Sequence, residues 1–248
     1  MRGRDWVLAD AFDRAAPTYD AMVTLSPGYH DQLRTAAEAL AGRLPADGVD
    51  GGTPVVLDLG CGSGASTRAL LDARSAGPGR AGAVQVTGVD ASEGMVRQAR
   101  AKAWPAGVDL VVGDALAYVR ALPDASVDGV LGAYLLRNVP ERQALVDEVA
   151  RVLRPNGALV LHDYSVAGSL RARVLWAAVC HGLIIPMAVV MGSDVPLHRY
   201  LYTSVRDFDS VDRMCRRMLD AGLGEVRHRS YPGWQQGLVH TVMGVRRA

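Results

Sequence analysis

The chain contains 248 residues with a formal net charge of +1, and its acids and bases are interspersed. This length suits one α/β domain with a large core, and the balanced charge argues against a nucleic-acid partner. The cysteines Cys61, Cys180 and Cys215 show no metal-ligand spacing, so we expect no metal site and a reducing, cytoplasmic environment. The first residues, Met-Arg-Gly-Arg-Asp-Trp, predict no secretory signal.

Predicted helices and strands alternate along the chain. Residues 5–44 are expected to be helical, with breaks near Pro17 and residues 26–28, and residues 46–54 are expected to form a linker into the first strand. Later helices are expected at 65–71, 92–104, 141–153 and 207–221. Strands are expected at 55–59, 84–90, 108–115, 127–132, 158–164, 225–231 and 239–245. This order predicts an α/β fold with a Rossmann-like, doubly wound seven-stranded sheet, mostly parallel, ending in an antiparallel edge hairpin.

A glycine turn follows the first strand, with Gly60, Gly62 and Gly64 at alternate positions around Cys61. Such a turn lets a ligand lie against bare backbone, and we interpret Cys61 as a small filler. Asp58 stands two residues before the first glycine, where dinucleotide fingerprints usually have an apolar core residue. An acid there is placed to hold a cation, such as the ammonium group of S-adenosylmethionine. The Asp-x-Gly-x-Gly-x-Gly sequence is the pattern of class I methyltransferases.

A dinucleotide site is the alternative, because Gly60, Gly62 and Ala65 also match the G-x-G-x-x-G/A template. The next strand-terminal acid, Asp90, lies about 30 residues beyond the first glycine, whereas that template expects about 20. A Gly/Pro-rich loop at residues 75–82 accounts for such a surplus, so spacing alone does not decide. Asp58 disfavours the dinucleotide.

Two further strands also end near an acid. Asp90 is expected to accept hydrogen bonds from ribose hydroxyls, with Ala91 beside it and Met95 against an adenine face. Asp114 is expected to accept from the adenine amino group, and its neighbours Gly113 and Ala115 complete this wall of the site. Three successive strands with acids at the loop favour S-adenosylmethionine as cofactor and S-adenosylhomocysteine as product.

Several segments resemble the UbiE/MenG-type ubiquinone and menaquinone biosynthesis C-methyltransferases. Residues 11–22, AFDRAAPTYDAM, are similar to that family's opening, and residues 136–139, LRNV, match its signature after the fourth strand. Residues 151–157, RVLRPNG, and 199–205, RYLYTSV, are similar to two later motifs. The resemblance covers about residues 11–230 and implies methyl transfer to a quinol ring carbon.

The resemblance also implies roles for individual residues. Tyr19 is expected near the methionine part of the cofactor, and Tyr134 is expected among the cofactor contacts. Arg137 follows the fourth strand, where ligands of such sheets bind. Its guanidinium stays protonated up to a pH of about 12, so we expect it to stabilise a phenolate rather than act as a base. Asn138 is expected to orient the hydroxyl or a water.

His162 is the candidate proton acceptor, since its ordinary pKa is about 6.5 and it ends a buried strand. Asp163 is placed to orient it; the alternative is a structural, hydrogen-bonded histidine. This segment, His162-Asp163-Tyr164-Ser165, replaces the family's Glu-Phe-Ser, and the glycine turn has the generic methyltransferase form. These departures leave open a phenolic or polyketide acceptor, O-methylation, or binding of S-adenosylmethionine without transfer.

An apolar run at residues 174–191 is the most ambiguous segment. His181, Gly182 and Pro186 interrupt it, which disfavours a transmembrane helix. We expect a helical cap over a small hydrophobic aromatic substrate; core packing and peripheral contact with a membrane are the alternatives. A homodimer is left open. The chain is thus predicted to be one domain, 1–248. It comprises an N-terminal helical lid at 1–50, a cofactor-binding core at 51–165, an apolar cap at 166–206, and a C-terminal helix with hairpin at 207–248.

Overall fold

A computed structural model describes residues 3–24, 28–48, 51–76, 83–190, 192 and 195–247, with side chains from residue 8 onward. The predicted break at 26–28 and loop at 75–82 lie mostly outside these ranges. The sheet has seven strands: β1 Val55–Leu59, β2 Gln85–Asp90, β3 Val108–Val112, β4 Val127–Ala133, β5 Leu153–Tyr164, β6 Leu223–Ser230 and β7 Val239–Arg246. Their order is β3-β2-β1-β4-β5-β7-β6.

The predicted sheet is confirmed. Strands β1 to β5 are parallel neighbours, whereas β7 runs antiparallel between β5 and β6, so that β6 forms the edge. Strand β5 begins at Leu153 rather than residue 158, because Leu153 pairs with Val127 before a register shift. The strand order reverses between β1 and β4, and ligands of such sheets bind at the carboxyl ends of the strands at this switch point.

Ten α-helices lie among the described residues: α1 Gly3–Thr24, α2 Tyr29–Ala41, α3 Ala65–Ala76, α4 Glu93–Arg100, α5 Ala115–Arg120, α6 Arg142–Val152, α7 Leu170–Val179, α8 Ile185–Val190, α9 Val195–Arg206 and α10 Val211–Asp220. A π-helical turn, Cys180–Ile184, joins α7 to α8. Helix α10 begins later than predicted because the Ser210 side chain caps it, accepting from the Arg213 N–H. Helix α4 ends at Arg100, earlier than predicted, and beyond it the Trp104 indole folds back to donate to the Ala99 carbonyl.

The core fills both faces of the sheet. On one face Leu57 and Leu159 pack with Leu145 of α6, and on the other Val56 packs with Leu40 of α2. Because both faces are covered, the central strands β1 and β4 are buried along almost their whole length. The carboxyl ends of β1 to β4 therefore form the accessible edge, and helix α1 and the cap helices α7 to α9 lie beside it.

Candidate functional site

A cavity of about 260 Å³ lies at the carboxyl edge of the sheet, between the strand ends, helix α1 and the cap. Most of the sequence-predicted site residues line it: Tyr19, Gly60, Cys61, Gly62, Asp90, Ala91, Met95, Gly113, Asp114, Ala115, Tyr134, Arg137 and Asn138. Three others, Asp58, Gly64 and His162, do not line it. The structure therefore brings thirteen of the predicted site residues together at one cavity and leaves three outside its lining.

The glycines of the turn have different roles. Gly60 and Gly62 have positive φ angles of 70° and 53°, and a Cβ on Gly62 would meet nothing within 4 Å. Gly62 thus leaves free space beside the cavity. Gly64 has a φ of 91°, and a Cβ there would lie 2.7 Å from Cζ2 of Trp104. The expectation that Gly64 contacts a cofactor is therefore corrected: this glycine is required for packing against Trp104.

This difference predicts opposite outcomes for two alanine substitutions. Gly62→Ala should weaken S-adenosylmethionine binding by about tenfold or more, because the methyl group occupies ligand space, at a folding cost of about 1 kcal/mol for the positive φ. Gly64→Ala should cost about 2–4 kcal/mol of folding stability, because its methyl group overlaps the Trp104 ring. Calorimetric titration and urea unfolding of both variants measure the two effects. Equal losses of stability would contradict the assignment.

Asp58 lies below the turn rather than at the cavity. Its carboxylate is fully buried, and Oδ2 accepts from the hydroxyls of Ser66, at 2.7 Å, and Thr67, at 2.6 Å. Burial raises the pKa of Asp58 to about 6, although both hydroxyls lower it. Asp58 therefore fixes the start of α3 against β1. Its Oδ1 has no hydrogen-bond partner among the described residues, but the carboxylate does not line the cavity, so the contact with an ammonium group stays a prediction.

Asp90 holds the turn and faces the cavity. Its Oδ2 accepts from the Gly62 N–H at 2.8 Å and its Oδ1 from the Ser92 N–H at 2.9 Å. Burial raises the pKa of Asp90, although the two backbone hydrogen bonds lower it. Each carboxylate oxygen keeps a second lone pair, so Asp90 has the acceptor capacity that two ribose hydroxyls need. Asp114 accepts from the Ala117 N–H at 2.8 Å through Oδ1 alone.

Helix α1 is fastened over the turn by two acids that sequence reasoning missed. Asp13 Oδ1 accepts from the Gly94 N–H at 2.7 Å and from the Ser92 hydroxyl. Asp20 Oδ2 pairs with Lys102 at 2.7 Å, and its Oδ1 accepts from Ser63. These partners are roughly 40 to 80 residues apart in the chain, so no local pattern reveals them. The predicted lid is thus closed over the cavity by hydrogen bonds at both ends of one helical face.

Tyr19 lies on this fastened segment and lines the cavity. The Tyr19 and Tyr29 hydroxyls are hydrogen-bonded to each other, and burial raises the pKa of Tyr19. Both phenols therefore remain neutral, and they form the junction between the lid and the deeper aromatic wall.

A row of aromatic side chains forms the other half of the cavity. Tyr134 stacks on Tyr29 and on Tyr164, with ring centroids 5.5 and 5.4 Å apart, and Tyr164 meets Trp176 of the cap at 4.9 Å. Tyr134 has a φ of 57°, a left-handed conformation that is uncommon for a bulky residue and is found at functional sites. Its hydroxyl donates to the Gln32 side chain. The wall suits a flat, apolar ring.

Arg137 is the cation beside this wall. Its guanidinium pairs with Asp163 and lies 5.6 Å from the centroid of the Tyr134 ring. The side chains of Arg137 and Asp163 are only 8% and 1% exposed. Burial alone would lower the pKa of Arg137, but the ion pair outweighs it and the pKa is raised. Arg137 is therefore a permanent cation, and its Nε has no partner among the described residues.

The Asn138 side-chain amide forms hydrogen bonds to other residues of the protein. Its Nδ2 donates to the Tyr134 carbonyl at 3.1 Å, and its Oδ1 accepts from the Tyr200 hydroxyl at 3.2 Å. These two bonds tie the turn after β4 to helix α9. The amide lines the cavity but both its ends are engaged, so it holds the wall in place.

His162 is fully buried behind Tyr134, which corrects its assignment as a base that meets the substrate. Its Nδ1 lies 2.8 Å from the Thr241 hydroxyl and its Nε2 lies 3.4 Å from the Tyr134 hydroxyl. Burial, with a smaller contribution from His240, lowers the pKa of His162 to about 3. His162 is thus a neutral structural residue, as the alternative interpretation held. Its neighbour Asp163 pairs with Arg137 and does not orient the His162 ring.

The lowered pKa of His162 predicts a pH dependence of stability. The unfolded histidine takes up a proton below about pH 6.5, whereas the folded one does so only near a pH of about 3. Stability contributed by this residue is therefore present above about pH 6.5 and is lost as the pH falls toward 3. In His162→Gln the slope of unfolding free energy between pH 4 and 6 should be smaller, by up to about 1.4 kcal/mol per pH unit. Urea titrations at several pH values measure it; equal slopes would contradict a neutral His162.

The described ranges contain no group of three or more His, Cys, Asp or Glu side chains that could hold a metal ion. The acids of the site are instead engaged by backbone N–H groups, hydroxyls and Arg137.

Comparison with known proteins identifies the family to which this chain belongs. A family model described as the ubiE/COQ5 methyltransferase family matches residues 2–246. The chain belongs to this family. It is 31% identical over 240 residues to the ubiquinone/menaquinone biosynthesis C-methyltransferase UbiE of Syntrophotalea carbinolica, covering 95% of this chain and 92% of that one. It is also 31% identical over 227 residues to the demethylmenaquinone methyltransferase of Mycobacterium sp. strain JLS, covering 91% and 89%.

A solved structure confirms the fold of this ubiE/COQ5 family chain. The S-adenosylmethionine-dependent methyltransferase of Thermotoga maritima, described as a possible histamine N-methyltransferase, superimposes with a TM-score of 0.64 and 18% identity. The match covers 97% of this chain and 100% of that one. An identity this low establishes the fold alone. Membership of the ubiE/COQ5 family makes the chain a methyltransferase that uses S-adenosylmethionine, which excludes the dinucleotide alternative.

Proposed function

We propose that this chain transfers a methyl group from S-adenosylmethionine to a ring carbon of a quinol, with a demethylmenaquinol as acceptor. The observation that carries the proposal is the continuity of the cavity. Its polar half contains Gly62 and Asp90, and its aromatic half contains Tyr134, Tyr164 and the cation Arg137. The named functions of the two relatives, one a ubiquinone/menaquinone C-methyltransferase and the other a demethylmenaquinone methyltransferase, point to the same acceptor class.

The polar half fits the cofactor. The bare turn at Gly62 gives a ligand access to the backbone, and the free lone pairs of Asp90 match the ribose hydroxyls. Met95 lines the wall next to Asp90, where an adenine face would lie. S-adenosylmethionine supplies a methyl group that is already activated toward nucleophiles. The protein must therefore align the acceptor and stabilise its anionic form.

Arg137 supplies that stabilisation. A ring carbon becomes nucleophilic when the phenolic hydroxyl in conjugation with it ionises, and a buried cation favours the phenolate over the phenol. The guanidinium is held by Asp163, so it is oriented before the acceptor binds. Transfer would break the methyl carbon–sulfur bond as the carbon–carbon bond forms, with S-adenosylhomocysteine as the leaving group. The phenolic proton lost on ionisation would pass to water, and the ring-carbon proton would move to the phenolic oxygen as aromaticity returns.

The test uses a short-chain demethylmenaquinol carrying deuterium at the unsubstituted ring position, kept reduced, with S-adenosylmethionine. Mass spectrometry should find a methylated product that has lost the deuterium. A methylated product that retains it would identify O-methylation and overturn the ring-carbon assignment. Absence of product, with cofactor binding intact by calorimetry, would show that the acceptor is a different phenol. Absence of cofactor binding would contradict the assignment of the polar half.

A further inference from the structure

The outer surface of the cap is an apolar helical face on which none of the described residues packs. Helix α7, the π-helical turn and α8 form one helical stretch, Leu170–Val190, and only 17% of its most apolar 18-residue window is buried. By length and composition alone this stretch would suffice to cross a membrane. Its exposed large apolar side chains, which we call the outer face of the cap, are Leu170, Val174, Leu183, Val189 and Val190.

This face is unusual for the molecule. Leu170 and Val190 are 78% and 86% exposed, and outside the outer face only three large hydrophobic side chains of the described residues are exposed, Val112, Leu219 and Trp234. Single exposed hydrophobic residues are ordinary, but a contiguous row on one helix marks an interaction surface. The outer face therefore requires an apolar partner.

The opposite face of the same stretch belongs to the cavity. Trp176, Cys180, Ile184 and Met187 line it, at spacings of four, four and three residues along the helix. Trp176 also donates its indole N–H to the Tyr202 carbonyl at 3.2 Å. The stretch is thus fixed to the domain along its inner side, which a helix surrounded by lipid on all sides would not be. It is suited to lie on a bilayer rather than to cross it.

The charges of the segment identify the kind of surface that fits. The helical stretch Leu170–Val190 contains two arginines and no acid. Arg171 and Arg173 are exposed in the first turn of α7, next to Leu170 and Val174. Basic residues beside an inserted apolar face complement anionic lipid headgroups. A second copy of the chain would instead bring the same cations to the contact.

We propose that the outer face of the cap docks on an anionic phospholipid bilayer, with its valines and leucines in the acyl boundary and Arg171 and Arg173 among the headgroups. The cavity then lies directly behind the docked helix. If the proposed function holds, an acceptor with a long apolar tail reaches the aromatic wall from the bilayer past the cap. The docking itself does not depend on the acceptor.

Vesicle flotation tests the proposal without cofactor or acceptor. The full chain should float with vesicles of equimolar phosphatidylglycerol and phosphatidylcholine and bind phosphatidylcholine vesicles more weakly. Val174→Asp and Val189→Asp should each lower partitioning about tenfold or more, because each removes a valine that would insert into the acyl boundary and adds an anion. Leu219→Asp, at an exposed leucine of α10 on another surface, is the matched control and should change little. The double variant R171E/R173E should lose the preference for anionic lipid.

Several outcomes would overturn the docking. The first is that the unchanged chain does not float with the vesicles. The second is that Leu219→Asp lowers partitioning as much as the cap variants do. The third is that only detergent, and not high salt, releases the chain from the vesicles, which would indicate a spanning helix. Light scattering adds another: a dimer in solution that Val174→Asp dissociates would assign the face to a second copy. Failure to methylate the quinol with flotation intact would concern the proposed function alone.

Discussion

Arg137→Ala is expected to lower the turnover of a demethylmenaquinol about 10²- to 10³-fold while the dissociation constant of S-adenosylmethionine stays within about threefold. The loss is of the size seen when one donor to a developing oxyanion is removed from an apolar site. The cofactor constant is spared because Arg137 lies in the aromatic half of the cavity, beside Tyr134. Single-turnover rates with product detection by mass spectrometry, and calorimetric titration of the cofactor, measure the two quantities.

The same substitution should also destabilise the fold, by about 3–5 kcal/mol near neutral pH, because it leaves Asp163 buried without its cation. Burial already raises the pKa of Asp163, and Arg137 opposes that rise. Without the arginine the pKa rises further, so the acid takes up a proton in the fold at a pH where the unfolded chain does not. The penalty therefore shrinks as the pH falls, which urea unfolding at pH 5 and pH 8 would detect.

A paired substitution separates chemistry from stability. Arg137→Met combined with Asp163→Asn removes both charges at similar volume, so most of the lost stability should return while turnover stays low. Arg34→Ala, at an exposed arginine of α2, is the matched control for removing one guanidinium. If the double variant recovers turnover together with stability, Arg137 acts only through the fold, and its proposed contact with the phenolate is wrong.

The sequence predicted the polar half of the cavity well, and physical reasons explain why. Parallel strands place their carboxyl ends at one edge, so an acid or glycine directly after a strand needs no side-chain detail to be located. Gly62, Asp90 and Asp114 all follow this rule and line the cavity. Their chemistry depends on backbone position, which local patterns determine.

The errors concern which way a side chain points. His162 and Asp163 are neighbours on β5, so they face opposite sides of the sheet, and only the pairing register decides which one meets Arg137. Asp58 and Gly64 both flank the turn closely, yet neither lines the cavity. The Asp58 carboxylate accepts hydrogen bonds from hydroxyls of α3, and Gly64 packs against the Trp104 ring. Such contacts depend on packing between separate elements, which one-dimensional spacing does not encode.

The aromatic wall was missed for a related reason. Tyr29, Tyr134, Tyr164 and Trp176 come from α2, the turn after β4, the end of β5 and α7. No two of them share a local pattern, so only the folded chain shows that they form a row. The outer face of the cap differs from the aromatic wall. Its apolar composition was evident from the sequence, but only the folded chain shows that these side chains are exposed.

Asp90→Ala is expected to weaken S-adenosylmethionine binding about 10²- to 10⁴-fold. Two hydrogen bonds from ribose hydroxyls to a carboxylate contribute about 1.5–3 kcal/mol each, and each 1.4 kcal/mol is a factor of ten. The substitution also removes the acceptor of the Gly62 and Ser92 N–H groups, so the turn loses the bonds that hold it to β2. Calorimetric titration of cofactor and product with the full chain measures the change.

Asp109→Ala is the matched control, because Asp109 is an exposed carboxylate on the neighbouring strand β3. It should leave the dissociation constant unchanged. In the unchanged chain affinity should fall as the pH is lowered, and it should begin to do so above the usual range of carboxyl groups, because burial raises the pKa of Asp90. That pH dependence should be absent in Asp90→Ala. If Asp90→Ala binds within about threefold of the unchanged chain, the ribose does not lie at this carboxylate, and the placement of the cofactor along the turn at Gly62 is wrong with it.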